Sequence, residues 1–93
     1  MAFEWDAAKN TANLAKHGID FRDAVRIFEG PVLEKTDRRR EYGEERIAAV
    51  GVVKGFGLYV VYTIRGGKRR IISARRANRH EREAYRLALA QQL

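Results

Sequence analysis

Apolar and polar residues alternate over residues 46–75 in a pattern that predicts three consecutive β-strands. The strands are predicted at 46–53, 58–64 and 69–75. Glycine-rich turns at 54–57 and 65–68 separate them, and the Gly66-Gly67 pair favours a tight hairpin because glycine adopts positive φ without a steric penalty. We therefore expect an antiparallel meander in the second half of the chain.

Apolar residues spaced three and four positions apart predict two helices before this sheet. Asp6 is the expected N-cap of the first helix, and Gly18 is the expected left-handed residue that ends it. The second helix restarts at Asp20 and stops at Gly30-Pro31, because proline lacks a backbone donor.

A third helix is predicted from Asn78 to about residue 92. Asn78 and Glu81 have the spacing of a capping box, in which each side chain bonds the backbone N–H of the other residue. The segment 69–83 therefore holds arginines at the end of a strand and on the first turn of a capped helix, two rigid positions.

These elements predict one α+β domain over residues 1–93. Two N-terminal helices and a C-terminal helix are expected to pack on a twisted, mainly antiparallel β-sheet. Residues 3–5 are expected to form a short strand or an anchoring arm, 32–36 a short strand, and 37–45 a charged loop.

Strand alternation assigns side chains to the two faces of the sheet. One set should meet the helices: Leu58, Val60, Tyr62, Ile64, Ile72 and Ala74. The other set should lie on an open face: Tyr59, Val61, Thr63, Arg65, Ile71, Ser73 and Arg75. An error of one position in either strand would exchange the two sets.

Composition limits the possible classes of protein. With 93 residues, 45% of them hydrophobic, the chain can build one modest core. It has no cysteine, which excludes disulfides, thiolate nucleophiles and cysteine-bound metal. Acidic residues near the N-terminus and the lack of an apolar run of roughly 20 residues lead us to expect a cytoplasmic protein with no membrane partner.

The net charge of +7 is unevenly distributed. Residues 54–93 contain ten lysines and arginines but only two glutamates, a net charge of +8, so the first 53 residues sum to about −1. A basic half on a small domain indicates a polyanionic partner, either a nucleic acid or an acidic protein surface.

The candidate chemistry requires no metal or cofactor. Neither histidine has a partner at metal-ligand spacing apart from Glu83 beside His80, and no nucleotide-binding or hydrolase motif occurs. Arginine, lysine, tyrosine, histidine and glutamate suffice for RNA cleavage, because the 2′-hydroxyl of RNA attacks its own neighbouring phosphate once a base removes its proton.

Several residues are candidates for that reaction. The catalytic candidates are Arg75 and Arg65 as phosphate-stabilising cations, Glu45 and His17 as proton-transfer groups, and Lys16 as a phosphate contact. Candidates for substrate contact are Arg46, Arg70, Ser73, Arg76, Arg79 and Tyr85. Each has a simpler alternative: solvated arginines, favourable cations at a helix end, or, for Tyr85, a core residue with its hydroxyl at the surface.

The chain resembles the BrnT family of toxins over nearly its whole length. The resemblance rests on the EWD, KHG and GEER motifs and on RIISAR at 70–75. It implies a RelE-like fold, metal-independent ribonuclease activity and growth arrest. It also implies a BrnA-type ribbon-helix-helix antitoxin, two copies of each protein in the complex, and operator DNA bound through the antitoxin.

Two other functions remain compatible with the residues. The chain could be a non-catalytic binder of nucleic acid or of a translation factor, using the same basic face. It could also be an inactive structural partner of a DNA-binding protein. A pure binder has no need of Glu45 or His17, so the effect of replacing these residues would separate the hypotheses.

Overall fold

The computed structural model describes residues 2–38, 41 and 43–92. The elements are β1 (Phe3–Glu4), α1 (Ala7–His17), α2 (Phe21–Ala24), a 3₁₀ helix (Val25–Glu29), β2 (Leu33–Asp37), β3 (Arg46–Val53), β4 (Phe56–Arg65), β5 (Lys68–Arg76) and α3 (Arg79–Ala90). The predicted α+β class is confirmed. Within the predicted loop 37–45, Asp37 belongs to β2, and Arg39, Arg40 and Tyr42 lie outside the described residues.

The five strands form one sheet in the order β1-β5-β4-β3-β2. Strands β2 to β5 are antiparallel, whereas β1 pairs with β5 in parallel, so the sheet is mixed. Both predicted hairpin turns are present. Lys54 and Gly55 have positive φ in the first, and Gly66 and Gly67 in the second. This φ combination matches the right-handed twist of the flanking strands.

The first helix begins and ends where the sequence predicts. The Asp6 carboxylate accepts a hydrogen bond from the Lys9 backbone N–H at 3.0 Å. Gly18 has φ 72° and donates its N–H to the Leu14 carbonyl at 2.8 Å. Asp20 then caps α2, and its pKa falls to about 2 because the backbone N–H and guanidinium of Arg22 and the Asn10 amide all bond its carboxylate.

The second predicted helix differs from expectation. Only Phe21–Ala24 is α-helical, and the chain then tightens into the 3₁₀ helix. Phe21, Ala24 and Ile27 are all 0% exposed. Their spacing of three matches the three residues per turn of a 3₁₀ helix, so the tighter winding keeps them on one buried face. Gly51 allows this close packing, since a Cβ there would lie 2.7 Å from the Ile27 Cβ.

One face of the sheet, here called the inner face, forms the core with these N-terminal helices. It carries Ala49, Leu58, Val60, Tyr62, Ile71 and Ala74, all buried. Ile64, which was expected to meet the helices, is instead 48% exposed because it lies near the end of β4.

A β-bulge corrects the predicted faces of β5. Val61 pairs with Ser73, but Tyr62 pairs with Ile71, so Ile72 is an extra residue in the ladder. Ile71 therefore joins the inner face and is 1% exposed, whereas the sequence analysis placed Ile72 there and Ile71 on the open face. Strict alternation fails because the bulge shifts the register by one position.

The opposite face, here called the outer face, carries Tyr59, Val61, Thr63 and Arg65 of β4 and Arg70, Ser73 and Arg75 of β5. The predicted grouping of Thr63, Arg65, Ser73 and Arg75 on one face agrees with the strand register. The face is not open throughout, however. Thr63 is buried, and α3 packs over the part that holds Tyr59 and Val50. The Tyr85 hydroxyl anchors α3 by donating to the Pro31 carbonyl at 2.8 Å.

Candidate active site

Arg75 joins β5 to the start of α3. Its Nη1 and Nη2 each donate to the Glu81 carboxylate at 2.8 Å, and Nη1 also donates to the Arg76 carbonyl at 3.1 Å. The Arg75 Cζ lies 4.0 Å from the centroid of the Tyr59 ring. A bidentate ion pair combined with ring stacking holds the guanidinium in one orientation on the outer face.

Glu81 is charged and fully engaged at this junction. Burial alone would raise the pKa of Glu81, but the hydrogen bonds from Arg75 and from the Asn78 backbone, with the nearby charges of Arg75 and Lys35, hold it below its ordinary value. Its Oε1 accepts from both Arg75 and the Asn78 N–H, while the Asn78 side chain accepts from the Glu81 N–H at 2.8 Å. The predicted capping box is thus present.

A cleft of about 250 Å³ lies between the first turn of α3 and strands β2, β3 and β4. We call it the α3 cleft. Ala48 and Val50 give it an apolar floor, and its polar lining residues are Glu34, Lys35, Tyr59, His80 and Glu81. An ammonium, a phenol, an imidazole and two carboxylates from three separate elements therefore meet in one concave site.

A second group of charges lies at the other end of the outer face. Glu44 accepts from Arg65 Nη2 at 2.9 Å and lies 3.6 Å from Arg46 Nε. Glu45, the predicted carboxylate base, is exposed, and its backbone carbonyl accepts from Thr63 Oγ1 at 2.7 Å. The carboxylate that contacts both arginines is therefore Glu44, which the sequence analysis did not single out.

Charged residues from neighbouring strands continue across this end of the sheet. In the register of the sheet, Asp37 of β2 lies opposite Arg46 of β3. Arg70 of β5 lies opposite Thr63 of β4 on one side and Glu4 of β1 on the other. Arg70 Nη1 donates to Glu4 at 3.1 Å. Acids thus accompany the arginines on this surface, which lowers its local positive charge.

Lys16 and His17 lie apart from these groups. They occupy the last turn of α1, a helix held at the edge of β5 by Asn13. Both are favourably placed near the negative end of the helix, so the structural alternative for this pair has direct support.

The remaining candidates are distributed over several surfaces. Ser73 is half-buried on the outer face opposite Val61. Arg79 is exposed on the first turn of α3.

Arg76 lies on the inner side of the sheet. It is opposite Leu58 in the strand register, and its Cζ lies 4.1 Å from the centroid of the Phe56 ring. Arg76 therefore does not share a surface with Arg75, although the two are adjacent in sequence.

Comparison with known proteins identifies the family. Residues 5–81 match BrnT, described as the ribonuclease toxin of a type II toxin–antitoxin system. The chain belongs to the BrnT family. The match spans α1 through the first turn of α3, and therefore includes every candidate residue except Tyr85. Comparison with curated proteins finds no match.

As a member of the BrnT family, this chain belongs to a group of ribonuclease toxins of type II toxin–antitoxin systems. None of the described residues forms a cluster of three or more metal-ligating side chains. Within residues 2–38, 41 and 43–92, no helix has the length and hydrophobicity that crossing a bilayer requires.

Three residues of this BrnT-family chain that meet in the α3 cleft were not among the site residues predicted from the sequence: Lys35, Tyr59 and His80. Tyr59 was correctly assigned to the face of Thr63 and Arg65. No signal in the sequence brings Lys35 of β2 to α3, because their contact depends on how the helix crosses the sheet. His80 had one available signal, its position inside the capping box that was recognised at Asn78 and Glu81.

Proposed function

We propose that this protein is a metal-independent endoribonuclease toxin that inhibits translation and growth by cutting RNA. The observation that carries the proposal is the outer face. In a family of ribonuclease toxins, Lys35, His80 and Tyr59 line one cleft there. Arg75 contacts two residues of its lining, Tyr59 and Glu81. Cations that stabilise phosphate charge and a group that transfers a proton are sufficient for cleavage without a metal.

The reaction follows from the chemistry of RNA. A base removes the proton from a 2′-hydroxyl, and the oxygen attacks the adjacent phosphorus. The bond from phosphorus to the 5′-oxygen then breaks, and that oxygen takes up a proton. The products are a 2′,3′-cyclic phosphate and a 5′-hydroxyl end. Because RNA supplies its own nucleophile, the protein contributes positioning, positive charge and proton transfer.

We propose roles for the sequence-derived residues on this basis. Arg75 and Arg65 stabilise the charge that develops on the phosphate, and Arg46, Arg70 and Ser73 contact the RNA along the outer face. Further candidates for proton transfer or phosphate contact are Glu45, His17 and Lys16. Further candidates for substrate contact are Arg76, Arg79 and Tyr85.

The test uses the purified chain, free of antitoxin. In buffer containing EDTA it should cut single-stranded RNA, leave DNA of the same sequence intact, and yield 2′,3′-cyclic phosphate ends. RNA with a 2′-deoxy or 2′-O-methyl group at each position should resist cleavage, since it lacks the nucleophile. Loss of all activity in EDTA, or cleavage of DNA, would contradict the mechanism.

We further propose a BrnA-type ribbon-helix-helix antitoxin, two copies of each protein in the complex, operator DNA bound through the antitoxin, and a RelE-like arrangement of the toxin. The antitoxin is expected to cover the outer face, whose arginines favour an acidic partner and accelerate its association. Association should slow as salt rises. Salt-insensitive association with a partner seated on α1 and α2 would contradict this expectation.

A non-catalytic binder is the alternative, and one observation favours it. Arg65, Arg70 and Arg75 already form ion pairs with Glu44, Glu4 and Glu81. A protein that uses these arginines only to build its surface would bind RNA weakly and cut none, so the EDTA assay separates the two functions.

A further inference from the structure

We propose that His80 is the side chain that transfers a proton during RNA cleavage, and that the α3 cleft holds the ribose and phosphate being cut. This inference rests on the proposed ribonuclease function and names the site within it. His80 is the second residue of α3 and lines the cleft together with Lys35 and Tyr59.

The backbone at His80 is held rigidly from both sides. Asn78 and Glu81 cap the helix with reciprocal hydrogen bonds of 2.8 and 2.9 Å. Arg75 fastens the same glutamate to β5 through two bonds of 2.8 Å. A catalytic imidazole must be positioned within a fraction of an ångström to work, and few positions in a small domain are fixed by both a cap and a bidentate ion pair.

The two carboxylates at the cleft already accept hydrogen bonds from other groups. Both Glu81 oxygens accept hydrogen bonds from Arg75, which together with the Asn78 N–H lowers its pKa, so Glu81 is a poor proton acceptor. The Glu34 carboxylate accepts from the Tyr62 hydroxyl on the inner face. The Tyr59 ring stacks against the Arg75 guanidinium. Imidazole is the side chain suited to gain and lose protons near neutral pH, which leaves His80.

Lys35 adds a positive charge to the α3 cleft. Lys35 is exposed and lines the cleft, and its charge helps to lower the pKa of Glu81, so the cleft includes an ammonium group. At about 250 Å³ the cleft is smaller than the roughly 300–1,000 Å³ of a drug-sized ligand site, so it fits part of one nucleotide rather than a whole ligand. The ammonium would contact the phosphate while the imidazole reaches an adjacent oxygen.

The proposed step balances without an added reactant. Neutral imidazole at His80 takes the proton of the 2′-hydroxyl as the new bond from oxygen to phosphorus forms. Protonated imidazole instead gives its proton to the departing 5′-oxygen as the old bond breaks. In either role one proton is transferred to or from one ring nitrogen, and solvent restores the starting state.

The experiment compares His80→Gln with Glu83→Gln, an exposed position on the same helix that does not line the cleft. His80→Gln should lower the single-turnover rate on RNA by about 10²–10⁴-fold, the usual contribution of a proton-transfer group. RNA affinity should change less than about threefold, and Glu83→Gln should cut at the parental rate. Circular dichroism should show both variants folded, because the capping box is untouched.

Two further readouts separate proton transfer from a structural role. The parental pH–rate profile should lose one limb in His80→Gln, and added imidazole should partly restore cleavage by His80→Ala. A folded His80→Gln protein that cuts at the parental rate would overturn the inference, as would a rate loss matched by an equal loss of RNA binding. If the parental chain cuts no RNA in the same assay, the proposed function itself fails.

Discussion

The two faces of the sheet use arginine in different ways. Two Arg-Arg pairs lie at the ends of β5, and each pair divides between the faces because successive residues of a strand point in opposite directions. Arg70 and Arg75 lie on the outer face and pair with Glu4 and Glu81. Arg69 lies on the inner face, with its Cζ 4.0 Å from the Phe28 ring centroid.

This difference shows that the positive charge of the chain is not one RNA-binding surface. On the inner side Arg69 lies against the rings of Phe3, Phe28 and Tyr62, where it packs the N-terminal strand against the core. On the outer side a carboxylate orients each guanidinium. Arg69 packs on rings of the core and stabilises the fold, whereas the outer-face arginines, each oriented by a carboxylate, are the ones we propose for contact with phosphate.

Among the arginines of the two faces, Arg75 has the largest expected effect. Arg75→Ala should lower the rate of RNA cleavage on the order of 10²–10³-fold, about 3–4 kcal/mol, if its charge is used in the transition state. Arg75→Lys should cleave RNA only a little faster than Arg75→Ala, because an ammonium group cannot reproduce the two parallel hydrogen bonds that a guanidinium donates. Single-turnover cleavage and growth on induction measure the effect.

Glu81→Gln is the matched control for Arg75→Ala. Glutamine keeps the capping-box geometry but removes the charge that Arg75 meets. The control should lose much less activity than Arg75→Ala. A folded Arg75→Ala protein with parental activity would make Arg75 only a link between β5 and α3, and would leave Arg65 or Arg70 as the phosphate contact.

The next largest expected effect is a difference in stability between variants at the two isoleucines beside the bulge in β5. Ile71→Ala removes a fully buried side chain and should lower the free energy of unfolding by about 3 kcal/mol. Ile72→Ala, at a half-buried position, should cost under about 1 kcal/mol. Urea titration measures both. Equal costs, or a larger cost at Ile72, would show that the register in solution follows simple alternation.

The pair Ile71 and Ile72 also shows what sequence can and cannot predict about this fold. Alternation predicted the strands and both hairpins, because a period of two and paired glycines are local signals. A bulge adds one residue with no local marker here, so it exchanged the two isoleucines. The 3₁₀ helix was missed for a similar reason, since apolar spacings of three and four fit both an α-helix and its tighter relative.

Arg69 and Arg70 provide a smaller and more direct comparison between the faces. Arg69→Ala should lower stability by about 1–2 kcal/mol, since its guanidinium stacks on rings and its Nε is buried. Arg70→Ala breaks a partly exposed ion pair and should cost at most about 1 kcal/mol. Arg70→Ala should instead weaken RNA binding and flatten its salt dependence by about one phosphate contact. The opposite pattern would reverse the roles of the faces.

The smallest expected effect is on the pH dependence of stability. The pKa of Glu81 is lowered from 4.5 in the folded chain, so its contribution is present above that value and is lost as pH falls below it. The difference in Tm between the parental chain and Glu81→Gln should therefore shrink on going from pH 6 to pH 3. A difference that stays constant over this range would mean that the charge of Glu81 does not stabilise the fold.

The site was less predictable than the fold. Arg75, Arg65, Thr63 and Ser73 were assigned to one surface because they sit on adjacent strands, where register can be estimated. The α3 cleft depends on the angle at which α3 crosses β3, and that angle is set by contacts such as Tyr85 to Pro31, which are 54 positions apart. No pattern within a window of the sequence encodes such a contact.

The pairing of Asn13 with Ala74 bears on when this protein can fold during its synthesis. The Asn13 amide bonds both the carbonyl and the N–H of Ala74, 61 positions later, and β1 pairs with Arg69 and Arg70. A ribosome releases the N-terminus first, so β1 and α1 emerge without the strand that receives them. The sheet can close only after β5 has left the exit tunnel. A chain whose translation stops before β5 is released therefore cannot assemble the outer face, which includes residues of that strand.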